Sequence, residues 1–274
     1  MNTIVAIAKK EILDGIRNRW IVATTLLLAA LALSLTFLGS APTGTVGASP
    51  LAVTLVSLSS LTILLLPLIA LLLAYDAICG EFDRGTMLLL LSYPVSRWHL
   101  VLGKFVGHVA ILAFATFIGY GSAAVVLAIT GADVSGWLPF LSMIGSSILL
   151  GSAFLSIGYL ISASVADRGA AGGLAIGVWL LFVLIYDMAL LGLLVLDKGN
   201  NITAPILNAL LLLNPADAYR VLNLTGLGGV SQFTGMAGLS QDAALPVTAL
   251  IAALLLWTAV PLTGAALALR RRQL

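Results

Sequence analysis

The chain has 274 residues, of which 61% are hydrophobic and only 9% charged. A soluble domain carries about 25% charged residues, so a chain this apolar cannot cover its surface in water and takes lipid as part of its solvent. Its net charge of +2 is small, its single cysteine, Cys79, excludes an intrachain disulfide, and no Cys/His cluster has metal-ligand spacing.

A spanning helix needs about 20 largely apolar residues. Six stretches meet that length, at Trp20–Gly39, Val53–Tyr75, Val101–Ile129, Leu138–Ser164, Ala170–Leu196 and Pro246–Leu269. The expected fold is an all-α integral membrane protein, a single transmembrane domain over residues 1–274. Residues 1–19 precede the first span as an amphipathic interface helix. Ile4, Val5, Ala8, Ile12, Leu13 and Ile16 share one arc, Lys10, Glu11, Asp14, Arg17 and Asn18 the other, and Ile7 is out of place. Such a helix is either a topogenic anchor or a dock for a cytoplasmic partner.

Lysine and arginine placement sets the orientation. Lys9, Lys10, Arg17, Arg19, Arg84, Arg97, Lys104, Arg168, Arg270, Arg271 and Arg272 fall on one side, and Lys198 and Arg220 on the other. Eleven against two puts both termini in the cytoplasm, as an even number of spans requires.

Residues 76–100 form the charged segment after the second span. Glu81, Asp83, Arg84, Gly85 and Thr86 open it, residues 86–92 fit a short helix along the membrane, and Pro94 ends that helix because it has no N–H. Ser96 is placed to cap the third span, and Trp98 and Lys104 suit the headgroup region. These elements make a ledge that a soluble subunit could push, with Arg97 at its edge.

Asp187 lies inside the fifth span, with no basic residue expected at its depth. A charged Asp near the bilayer centre costs about 2.5–3.5 kcal/mol, so it must be protonated, face water or bond inside the bundle. Gly103 and Gly107, like Gly173 and Gly177, have helix-packing spacing, which reads as generic packing among 27 glycines. Residues 197–245 form the long outer loop. Within it Ala204–Leu213 is half a span long, fitting a helix on or dipping into the membrane. Asn214, Asp217, Tyr219 and Arg220 follow an Asn-Pro turn, either as a surface for a periplasmic partner or as a solvated loop.

The chain has no Gly-x-x-x-x-Gly-Lys-[Ser/Thr], no Gly-x-Ser-x-Gly and no His-Glu-x-x-His. It therefore lacks a recognisable nucleotide cradle or catalytic site, and energy for transport must come from elsewhere. An ATP-independent carrier or channel is the alternative; an intramembrane enzyme would need a pair of catalytic groups that the spans do not show.

Six spans, an interface helix and a ledge after the second span resemble the permease subunits of type-2 ABC exporters. Glu81, Gly85, Thr86, Leu91, Pro94, Arg97, Gly103 and Lys104 look like that family's coupling-helix pattern. Ala6–Trp20, Pro67–Gly80, Leu102–His108 and Leu213–Arg220 resemble its NosY-type branch, which serves nitrous oxide reductase maturation. The resemblance implies a second copy of the chain, two cytoplasmic ATPase subunits that hold the ATP and Mg, and a periplasmic copper-site assembly protein. No cofactor and no nucleic acid are implied for this chain. With no Cys/His/Met cluster across the membrane, transmitted motion or export of a sulfur species is expected rather than copper conduction.

Overall fold

The computed structural model describes residues 3–17, 20–39, 50–87, 95–129, 137–197, 202–224 and 245–272. Each of the six expected apolar stretches falls on a helix. The helices are α1 (Thr3–Arg17), α2 (Trp20–Gly39), α3 (Pro50–Ala74), the short α4 (Cys79–Asp83), α5 (Arg97–Ile129), α6 (Trp137–Ser164), α7 (Arg168–Asp197), α8 (Ala204–Leu212), α9 (Pro215–Leu224) and α10 (Val247–Arg271). Five helical stretches are long and apolar enough to cross a membrane alone, namely α3 with α4, α5, α6, α7 and α10. The sixth is α2; residues 22–37 of it stand at 71° to α1.

The most buried span is α6, packed mainly against α10 and α3. Its Phe140, Phe154, Leu155 and Tyr159 are enclosed in the core. At the periphery is α7, the least buried span, with apolar side chains such as Leu184, Met188 and Val195 facing outward. Its Trp179 indole donates to the Leu64 carbonyl at 2.9 Å, pinning it to α3. A π-helical turn at Leu181–Ile185 interrupts its α pitch.

Both termini lie at one end of the bundle, the terminal end. There α1 packs on the start of α5, and Arg97, the first residue of α5, bonds the last carbonyls of α10.

At the opposite end α8 and α9 form a hairpin that folds back into the bundle. Tyr219 of α9 meets the Ser147 hydroxyl at 3.0 Å. Ser147 is about 15 Å along α6 from its start, at 1.5 Å per residue. Non-spanning backbone is tolerated at that depth only where protein satisfies it. Here the Leu210 carbonyl accepts from the Tyr186 hydroxyl at 2.7 Å and the Leu212 carbonyl from the Trp257 indole at 3.2 Å. The half-length run Ala204–Leu213 thus dips inward, and a buried stripe of Ala216, Ala218, Tyr219 and Val221 takes α9 with it.

Candidate coupling site and a second buried ion cluster

The ledge begins where α3 stops. A turn at 75–78 precedes α4, and its Ile78 and Cys79 amides donate to the Ser162 hydroxyl of α6 at 2.9 and 3.1 Å. Buried amides at a helix break need such an acceptor. The chain leaves α4 through Gly85, whose φ of 71° favours glycine. Asp83, Arg84 and Gly85 are exposed. Glu81 points the other way, into the bundle, and the Thr86 hydroxyl bonds back to its carboxylate. Residues 88–94, which include Pro94 and most of the expected ledge helix, lie outside the described residues. On their far side Ser96 caps α5 as expected, its hydroxyl accepting from the His99 amide at 3.2 Å.

Lys104 joins the terminal end together. Its Nζ donates to Glu11 of α1 at 2.8 Å and to Glu81 of α4 at 3.0 Å, and all three side chains are nearly or fully enclosed. The Glu11 carboxylate also meets His108 Nε2 at 3.5 Å, and His108 Nδ1 meets the Tyr159 hydroxyl of α6 at 2.8 Å. Burial pushes the Glu11 carboxyl up, but the His108 hydrogen bond and the Lys104 charge outweigh it, and the pKa falls from 4.5 to about 2. Glu11 is therefore ionised at any physiological pH. A cleft of about 510 Å³ opens beside the cluster, lined by Lys10, Glu11, Asp14, Asp76, Glu81, Arg84 and Thr86 among others.

The docked face of α1 takes in only one edge of its apolar arc. Val5, Leu13 and Ile16 stay exposed, while Ile7, Ala8 and Glu11 meet α5. A Cβ on Gly103 would lie 2.7 Å from the Ile7 Cβ, and one on Gly107 2.7 Å from the Glu11 Cβ. These glycines let the α1 backbone come close enough for Glu11 to reach Lys104. Gly173 and Gly177 have nothing within 4 Å among the described residues. The spacing that looked generic in both pairs has a specific use in one.

Arg97 does not face outward from the ledge. Its Nη1 donates to the carbonyls of Leu269, Arg270 and Arg272 at 2.6, 2.8 and 3.2 Å. A cation at these orphan carbonyls suits the negative end of the helix dipole. Arg272 lies 4.9 Å over the Phe82 ring and donates to the Val165 carbonyl. Arg168 pairs with Asp76 at 2.8 Å.

A second buried ion cluster corrects the expectation for Asp187. A basic residue does share its depth: Arg220 Nη2 meets Asp187 Oδ2 at 2.5 Å, and Arg220 Nη1 meets Asp217 Oδ1 at 2.5 Å. The expectation failed because it put Arg220 in an outer loop, whereas the hairpin carries it inward. Asn214 completes the cluster. Its Nδ2 donates to Asp217 Oδ2 at 3.0 Å and to the Phe182 carbonyl in the π turn at 2.9 Å, and its Oδ1 accepts from the Ala216 amide at 3.0 Å. Asn214, Asp217 and Tyr219 are wholly buried within this chain. They were expected on an outer surface, but in this conformation they hold the hairpin.

Apart from Pro94, outside the described residues, and Asp187, held by Arg220, the residues singled out from the sequence divide in three. Asp83, Arg84 and Gly85 are presented outward, Glu81, Thr86 and Arg97 clamp the terminal end, and the four hairpin residues clamp the opposite half. Glu11 and His108 were missed as members of a site. Glu11 sits on a face that reads as solvated, and only its pairing across 93 positions reveals it.

The ABC-2 family transporter protein model matches residues 5–274. Two relatives, each named probable ABC transporter permease protein NosY, are similar over almost their whole length. The one from Stutzerimonas stutzeri is 46% identical over 275 aligned residues, covering 99% of each chain. The one from Pseudomonas aeruginosa is 45% identical over 272 residues, covering 98% of this chain and 96% of its own. With its apolar helices and full-length match, the chain belongs to the ABC-2 transporter family, as a multi-pass membrane permease.

Proposed function

We propose that this permease is the membrane half of an ATP-driven transporter, moved by a separate ATPase subunit that presses on the terminal end from the cytoplasm. The lysine and arginine count supports that orientation. The observation that carries the proposal is the buried Lys104 bonded to both Glu11 and Glu81. It ties the interface helix, the ledge and the third span together, so force applied at Asp83–Gly85 moves all three as one body. Arg97 extends the same body to the last span. Two copies of the chain and two ATPase subunits, which hold ATP and Mg, make up the assembly.

The name shared by the two relatives supports a more particular role, in which the motion serves a periplasmic partner that builds the copper–sulfur centre of nitrous oxide reductase. Among the described residues no three His, Cys, Asp or Glu side chains are grouped to hold a metal ion. Because the sequence has a single cysteine and both histidines fall on the cytoplasmic side by the charge count, we favour transmitted motion, or passage of a sulfur species, over copper conduction.

The test reverses the exposed charge of the ledge. In Arg84→Glu the ATPase subunit no longer co-purifies with the tagged permease, or its turnover no longer responds to it, while membrane insertion persists; nitrous oxide reductase from the same cells lacks its copper–sulfur centre. Unchanged coupling in that variant, or transport by the purified chain alone in liposomes, overturns the proposal in favour of a self-sufficient carrier.

A further inference from the structure

The last turn of α10 carries three arginines with different surroundings. Arg272 is engaged with Val165 and Phe82. Arg270 and Arg271 are exposed, and neither guanidinium makes a hydrogen bond or ion pair among the described residues. Of the described acids at this end, Asp76 pairs with Arg168, Asp167 caps α7 by accepting from the Ala170 amide at 2.7 Å, and Asp83 is exposed on α4. The negative pole that a helix C-terminus would present is already covered by Arg97. What remains is uncompensated positive charge at the membrane end of a span.

Directly beneath it lies an open groove of about 480 Å³ between the ends of α6 and α10. Ala163, Ser164, Gly264, Leu267 and Ala268 line it together with Arg271 and Arg272. The wall is apolar and polar in similar measure, the apolar part from Ala163, Gly264, Leu267 and Ala268 and the polar part from Ser164 and the arginines, and among the described residues its charge is cationic. A molecule with an anionic head and a hydrocarbon tail satisfies both halves.

We infer that this groove is a binding site for an anionic phospholipid, with one acyl chain along Ala163, Gly264 and Ala268 and the phosphate at Arg271, the exposed Arg270 beside it adding positive charge. Basic residues where a span leaves the bilayer attract anionic headgroups, and here a fitted groove adds a place for the chain. The site is independent of the ATP-driven role.

Native mass spectrometry of the purified full chain, given equal phosphatidylglycerol and phosphatidylcholine of matched acyl chains, tests it. The wild type keeps phosphatidylglycerol in preference. Arg270→Gln with Arg271→Gln lowers that preference by roughly fivefold per arginine. Ala268→Phe fills the groove without altering charge and reduces retention of both lipids. The deacylated headgroup, glycerophosphoglycerol, does not displace the bound lipid. Equal retention of the two lipids by the wild type overturns the proposal, as does displacement by the deacylated headgroup, which would make this a soluble-anion site. An unchanged lipid preference in the arginine variant, with lost ATPase co-purification, also overturns it and assigns the arginines to a protein interface. The two wild-type measurements decide the matter even where a variant does not fold.

Discussion

The two buried ion clusters share a composition, two carboxylates around one cation, yet they serve different mechanical ends. At the terminal end Lys104 draws its acids from α1 and α4, two elements that precede it and lie apart in the chain. In the opposite half Arg220 has Asp217 on its own helix, three residues away, and reaches outside the hairpin only to Asp187. The first cluster welds three elements; the second latches one hairpin to one span. Burial differs too. The Lys104 side chain is 4% exposed, whereas Arg220 and Asp187 are 19% and 22% exposed. The latch holds its charges less deeply than the weld does, although a cleft opens beside the weld.

The largest expected effect follows from removing the weld. Lys104→Met leaves two facing carboxylates enclosed, a defect of about 3–5 kcal/mol. It should appear as a large drop in the thermal unfolding midpoint in micelles and as protease cleavage within α1. Adding Glu11→Gln and Glu81→Gln should restore part of the loss. Arg220→Gln should cost less, about 1–3 kcal/mol, because Asp217 retains Asn214 and Asp187 can meet water. Asp187→Asn in the same chain should recover part of it. Equal destabilisation by the two single variants would break the distinction between weld and latch. Smallest is Arg168→Gln. Its pair with Asp76 is 42% and 28% exposed, and such pairs contribute less than about 1 kcal/mol, so the unfolding midpoint should barely move.

The spans were legible because a run of 20 apolar residues is a strong local signal, and Ser96 was legible because a cap acts within one turn. Pairing at a distance was not. Glu11, Lys104, Asp187 and Arg220 are each visible as charges, but nothing local says which meets which. The amphipathic pattern of α1 did not say which edge would seat on the bundle, since a helix lying in a membrane can give most of its apolar arc to lipid and keep a glycine-matched edge for protein. Ile7, which broke the pattern, is the residue that seats against Gly103. The π turn of α7 follows from no composition rule, and without it the Phe182 carbonyl that Asn214 uses would be committed to the α ladder.

The weld also imposes an order on biosynthesis. Glu11 leaves the ribosome 93 residues before Lys104, so the amino-terminal helix waits on the membrane face without its buried partner until the start of the third span has emerged. Docking of that helix therefore waits on the two crossings, α2 and α3, that separate Glu11 from Lys104. A chain that made only one of them would place lysine and glutamate on opposite sides of the bilayer.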